Sequence, residues 1–427
     1  MPVRIRAVKI WTEVSRERLA ANFAALQQIL SEGKSLERET TSLLAVVKAN
    51  AYGHGIDPCA TILARAGAKW LGVTDAHEGA RVRATLRAAG VVEERHPQIL
   101  VMSGTVGLEH EAECIVSNRL IAVVWNTAHM RRLAEAARAA GVEEPVRVHL
   151  EVDSGMSRQG VAPGAELDAV LRAIADEPGI VLDGVFTHFA STEVADSAQT
   201  AAQQAQFEAA VEQVMASGLR PQWVHAGNSS YIDNDSGDRR PLAWLKAVAG
   251  RVGARSMVRS GLALYGYLLP IAGAGRPLAL QRVRPVMTWK TRVIGLQEIP
   301  VGALVGYNGT FAAETPMRLA LLPVGYADGL RRELSSTNAK DGGWVMIHGQ
   351  WAPVVGRISM NLTTVDVTGL SVDEGDEVVL LGDGVTAQDH ARLAGTIAYE
   401  ILCGIKSNQV RSVDDALAGQ EQLEPSA

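Results

Sequence analysis

Apolar runs recur along the first two thirds of the chain, beginning near Leu43, Trp70, Gln98, Leu120, Val146, Val181, Gln222 and Ser256. Each but the last is followed by a stretch rich in Ala, Leu, Glu and Arg. Unbroken apolar runs of this length, alternating with helical stretches, read as parallel strands covered on both faces. Eight of them at a spacing of about 30 residues predict a (β/α)8 barrel, an α/β fold whose chemistry sits at the carboxyl ends of the strands. Ahead of them a short strand is expected near Val8 to Trp11. Ser15 then caps a helix with Leu19, Phe23, Leu26 and Leu30 on one face.

From about Leu280 the pattern changes to partly alternating, β-branched runs separated by Gly, Pro and Asp: VMTWKTRVIGLQEI, RLALLPVGYA, WVMIHG, APVVGRISMNLTTVDV and DEVVLLG. The reading is therefore two domains: residues 1–280, a barrel with a short N-terminal strand, and residues 281–427, a β-rich domain. A short helix is expected from Asp389 to about Leu402, and the tail after Val413 is polar.

Composition changes this picture little. With 47% hydrophobic and 21% charged residues in 427, the chain has enough apolar surface for two cores. The net charge of −6 is spread without a basic stripe, which speaks against nucleic acid or a membrane surface as partner. No apolar run reaches the roughly 20 residues of a membrane span, and MPVRIRAVKIW lacks the core of a signal peptide, so a cytoplasmic protein is expected. Three scattered cysteines signal neither a disulfide framework nor a metal site.

Candidate chemistry lies just beyond the strands. LLAVVKANAYGHG closes a buried strand with Lys48, and a lysine desolvated there has a lowered pKa and an amine able to form a Schiff base. Tyr52 follows it, and Arg158, His188, Asn228 with Ser229, and Arg259 with Gly261 and Leu262 follow later strands. HAGNSS and RSGLALYG supply hydroxyls and approachable backbone suited to a phosphate. A Schiff-base lysine and a phosphate site on one barrel face suggest pyridoxal 5′-phosphate, whose ring is an electron sink.

AVVKANAYGHG, EVDSGMSRQG, FTHFAST, HAGNSS, VRSGLALYG, GYNGTF, VGYADG, GRISMN and YEILCGI together resemble, in order, the motifs of the barrel-class, PLP-dependent alanine racemase family. The resemblance implies interconversion of L- and D-alanine, supplying D-alanine for peptidoglycan synthesis. It makes Lys48 the cofactor lysine and the base toward D-alanine, and Tyr307 the base toward L-alanine, reaching the site from the neighbouring subunit of a homodimer. Arg259 would face the pyridine nitrogen. A guanidinium there can only donate a hydrogen bond, which weakens the electron sink. Arg158 would bind the cofactor's phenolic oxygen and the substrate carboxylate. Met360 and Tyr326 would line the substrate site, and Tyr52 and Tyr399 would hold the phosphate. His188 belongs to the same set, and His225 with Arg259 would support the Tyr307 phenol.

Three departures accompany the resemblance. Glu151 stands where the family commonly has a lysine, and is expected to hold Arg158 by its charge. Asn361 replaces a common aspartate, a change also seen in broad-spectrum amino-acid racemases. The link 234–253 looks long. Two rivals share parts of the pattern: a barrel-class PLP-dependent decarboxylase, and a non-catalytic PLP carrier. Arg259 opposes a stable carbanion and GYNGTF supplies a second base, against the first, and the β-domain with Tyr307 and Met360 speaks against the second.

Overall fold

A computed structural model describes residues 8–31, 40–104, 110–234, 240–273 and 277–415. The extreme N-terminus and most of the polar tail, for which expectations were set above, lie outside the described residues.

The chain divides into two compact units. One comprises Ala20–Ala51 and Cys59–Val283, the other the chain through Leu19, Tyr52–Pro58, and from Arg284 onward. After an initial strand β1 (Ile10–Ser15), the first unit contains β2 (Ser42–Val46), β3 (Trp70–Val73), β4 (Gln98–Val101), β5 (Ile121–Val124), β6 (Val146–Val152), β7 (Ile180–Thr187), β8 (Trp223–His225) and β9 (Arg255–Ser260). These eight close into a parallel barrel, β9 returning to β2 with Leu43 opposite Val258. All eight expected runs are strands, and they are buried nearly throughout because helices cover them.

The crossover helices are Ile56–Arg65, Ala76–Ala88, Glu111–Ser117, Thr127–Ala139, Ala165–Asp176, Ala198–Ala216 and Arg240–Arg251. Several start at side-chain caps: Asp75 accepts from Glu78 N at 2.9 Å, Asn126 from His129 N at 3.0 Å and Ser197 from Thr200 N at 3.2 Å. Each such cap contributes about 1 kcal/mol. Much of the long link 234–253 is the last of these helices, the crossover from β8 to β9.

In the other unit a six-stranded sheet runs in the order Gln350–Pro353, Trp344–Ile347, Glu377–Leu381, Met287–Arg292, β1, Gln409–Val413. A three-stranded sheet joins Gly295–Ile299, Met317–Leu322 and Thr363–Asp366. The boundary near 280 leaves β1 with the barrel, but β1 pairs antiparallel with Met287–Arg292 (Trp11 opposite Lys290) and parallel with Gln409–Val413. Its residues are buried on both faces, Glu13 partly so, and such a strand needs neighbours on both edges, which a contiguous split of the chain denies it. Ser15 caps the following helix as expected, accepting from Arg18 N at 3.0 Å. The single helix expected from Asp389 is two, Ala387–Ala394 and Ala398–Gly404, broken at Gly395 with φ 68°. Among the described residues no helix is long and apolar enough to cross a membrane.

Candidate active site

The β2 ladder continues one residue past the strand, with Val47 N donating to Gly72 O at 2.8 Å, and Lys48 follows. From there the backbone turns left-handed: Ala49, Asn50, Ala51 and Tyr52 all have φ between 53° and 55°, and Gly53 follows at 80°. Left-handed turns cost L-residues about 1–2 kcal/mol each, least for Gly and Asn, so neighbours must hold this one. Glu78 does so, its carboxylate accepting from Asn50 N at 3.1 Å and Thr74 N at 2.8 Å. Lys48 is exposed within the chain, so the desolvation expected of a strand-end lysine is not what distinguishes it.

At the end of β9, Arg259 is buried and surrounded by neutral acceptors. It donates to His225 Nδ1 at 3.0 Å, to Thr187 O at 2.9 Å and to His188 Nδ1 at 3.1 Å, and lies 4.9 Å from the Phe186 ring. A guanidinium has five N–H donors, so two remain without a partner among the described residues. Burial pulls its pKa down to about 10 against the opposing charge of Glu151, and it stays protonated at neutral pH. Burial, then the cations Arg259, Arg158 and Lys48, push His188 down to about 3, so its imidazole is neutral.

Behind Arg259 lies a polar row that the sequence reading missed. His225 Nε2 is 2.8 Å from His149 Nδ1, and His149 Nε2 is 3.1 Å from Asp183 Oδ2. Asp183 also accepts from Arg147 at 2.7 Å, and Arg147 donates to Gln98 at 2.9 Å. The signal was present in VRVHLEV, where Arg147, His149 and Glu151 fall on alternate positions of a barrel strand.

The loops after β8 and β9 come together as expected. Asn228 caps the short helix Ser229–Asp233, accepting from Tyr231 N at 3.1 Å. Ser229 Oγ accepts from Gly261 N at 3.1 Å and Ala263 N at 3.2 Å, joining the two loops at the start of the 3-10 turn Leu262–Tyr265.

Glu151 is 3% exposed, and its carboxylate accepts from the amide of Gln159, which also donates to Met102 O at 2.7 Å. The expected direct bond to Arg158 is absent among the described residues; Arg158 is exposed and its neighbour Gln159 takes the carboxylate instead. Burial pushes the Glu151 carboxyl above its ordinary value, with the Gln159 bond and the charges of Arg259 and Arg158 opposing.

The remaining candidates belong to the other unit. Tyr52 is buried with its ring 5.8 Å from Tyr399, and burial raises its pKa. Gly53 has no room for a side chain, because a Cβ would overlap the Leu402 carbonyl oxygen. GYNGTF, VGYADG and GRISMN converge. Gly306 lies against Arg357, a Cβ there falling 3.1 Å from Arg357 N. Tyr326 N donates to Ser359 O at 3.1 Å, and Ala327 N to Met360 O at 3.0 Å. The cluster leaves three large apolar side chains exposed: Tyr307 at 67%, Met360 at 56% and Tyr326 at 44%. Asn361 donates to Asp328 at 3.4 Å.

Comparison with known proteins places these motifs. Residues 14–269 match the model of the alanine racemase N-terminal domain and residues 286–413 that of the C-terminal domain. An alanine racemase of Syntrophobacter fumaroxidans is 37% identical over 413 residues, covering 96% of this chain and 98% of its own. One from Symbiobacterium thermophilum is 37% identical over 400 residues, covering 92% and 94%. The solved structure of alanine racemase from Streptomyces coelicolor superposes with a TM-score of 0.79 at 33% identity, covering 95% of this chain and 97% of that one.

Proposed function

Because the chain belongs to the alanine racemase family and interconverts L- and D-alanine, we propose that it does so by proton transfer at two faces, with Lys48 and Tyr307 as the bases. The decarboxylase and carrier readings fall with that membership.

The cofactor proposed is pyridoxal 5′-phosphate. The donor set suits it: Arg259 keeps two N–H groups for a ring nitrogen, and the loops joined at Ser229 gather the small and polar residues Asn228, Ser229 and Gly261 of a kind that suits a phosphate. When bound to a lysine it supplies the electron sink that acidifies the Cα–H of an amino acid.

The chain's own groups do the rest. Lys48 holds the cofactor and its amine takes the proton from D-alanine; the Tyr307 phenol oxygen takes it from L-alanine. Two bases are required because a single group on one face would mostly return the proton it removed. Arg259 donates and never accepts, so a ring nitrogen beside it stays unprotonated and the sink is limited, which favours quick reprotonation over side reactions. Arg158 binds the substrate carboxylate, Met360 and Tyr326 shape the substrate site, and Tyr52, Tyr399, Asn228, Ser229, Gly261 and Leu262 hold the phosphate. His188 and His225, neutral beside Arg259, orient it. The exposure of Tyr307, Tyr326 and Met360 supports a homodimer in which a second copy of the chain receives them. A cytoplasmic enzyme supplying D-alanine to the cell wall is the cellular role proposed.

The observation that carries this reading is Arg259, a buried cation at a strand end bonded, among the described residues, only to neutral acceptors. Borohydride reduction of the enzyme with its cofactor should place the label on the peptide of Lys48, and Lys48→Ala should lose both label and racemisation of alanine by chiral analysis. Label on another lysine overturns the assignment.

A further inference from the structure

A buried guanidinium needs a counter-charge; Glu151 acts on Arg259 at a distance, yet among the described residues no carboxylate is hydrogen-bonded to it. The hydrogen-bonded route to a carboxylate runs through two imidazoles, and the direction of every bond along it follows from chemistry. Arg259 can only donate, so His225 Nδ1 must present its lone pair. A neutral His225 then carries its proton on Nε2 and donates it to His149 Nδ1 at 2.8 Å. His149 in turn carries its proton on Nε2 and donates it to Asp183 at 3.1 Å. All three bonds point from guanidinium to carboxylate.

The row is held on every side. A Cβ at Gly184 would fall 2.7 Å from the His149 ring, so only glycine beside Asp183 leaves the ring its place. Trp70 lies 5.5 Å from His149, and Phe186 stacks on His225 at 4.4 Å and 15°. Arg147, itself held by Gln98, fixes the Asp183 carboxylate from the other side. Burial raises the Asp183 carboxyl, but the bonds from His149 and Arg147 outweigh it and keep it ionised. Burial lowers both histidines, so both are neutral.

We propose that Asp183 and His149 are positioning residues for Arg259, acting through His225: three hydrogen bonds of one direction fix the guanidinium plane and tie it to the Asp183 carboxylate, beside the more distant charge of Glu151. A carboxylate in direct contact would compete for the donors that Arg259 keeps for its ligand. Polarised in series, the two imidazoles pass part of the Asp183 charge forward. The functional half of the proposal rests on reading Arg259 as a cofactor contact; the tautomers do not.

The test uses the full chain with 15N-labelled histidine rings, with and without pyridoxal 5′-phosphate, each ring assigned by its loss in His149→Gln or His225→Gln. In the parent near neutral pH both rings should be neutral with the proton on Nε2, in both preparations. A proton on Nδ1 of either ring overturns the relay, whatever the cofactor does. Asp183→Asn keeps the shape and removes the charge. It should lower kcat about tenfold, the size of one charge-assisted hydrogen bond, leave KM for alanine within about twofold, and displace the absorption band of the bound cofactor. Parent-like kcat and band in a folded Asp183→Asn overturn the positioning role. The parent's ring tautomers decide the relay even if that variant does not fold.

Discussion

Gly53 follows the left-handed turn and cannot carry a side chain. Gly53→Ala meets two costs. With φ at +80°, an alanine is disfavoured by about 1–2 kcal/mol. In addition, its Cβ would overlap the Leu402 carbonyl oxygen and lie 3.1 Å from Leu402 C, both backbone atoms of the helix Ala398–Gly404. No rotamer relieves that contact, so the helix or the turn must shift, at about 1–3 kcal/mol. Gly395→Ala in the same unit isolates the second cost, because Gly395 has φ +68° but nothing within 4 Å of its would-be Cβ. Thermal unfolding followed by circular dichroism should therefore show Gly53→Ala melting roughly 2–12 °C below Gly395→Ala. The shift should also separate the Tyr52 and Tyr399 rings, so cofactor retention on dialysis should fall for Gly53→Ala alone. Equal melting of the two variants would refute the close approach of this turn to the helix.

Two further outcomes are expected. Because burial raises the Glu151 carboxyl, the folded chain binds its proton more tightly than the unfolded one; Glu151 ionisation therefore costs stability as pH rises above the ordinary value of 4.5, and costs nothing below it. Glu151→Gln should gain stability relative to the parent across that rise in urea titrations, and a gain confined to acid pH would reverse the sign. Mixing an inactive Lys48→Ala chain with an inactive Tyr307→Phe chain should restore racemisation, one shared site being intact in the mixed dimer; exchange of subunits without activity would refute sharing.

The barrel was legible because continuous apolar runs with intervening helical stretches have few other solutions, and all eight strands begin within a residue or two of their expected starts. Membership of β1 was not, since the IWTEVS strand carries nothing that says which sheet it completes. Side-chain partners were least legible. Lys48, Arg259 and the loop residues stand out by motif, but the partner of Glu151 depends on which of two neighbours, Arg158 or Gln159, the DSGM turn points inward. That turn is set by Asp153, whose carboxylate accepts from Gly155, Met156 and Ser157 backbone N–H groups. His149 and Asp183 sit inside strands that read as apolar, where two polar residues look like exceptions until their partners are seen. The left-handed KANAY turn is hinted at only by its small residues and Asn50.

The most direct test of the two-base account is single-turnover isotope washout from the Cα of alanine in Tyr307→Phe, with both enantiomers measured in parallel. Washout from L-alanine should fall by orders of magnitude, while washout from D-alanine, which relies on Lys48, stays near the parent rate. Equal loss from both enantiomers would contradict the account and leave Tyr307 without a role as a base.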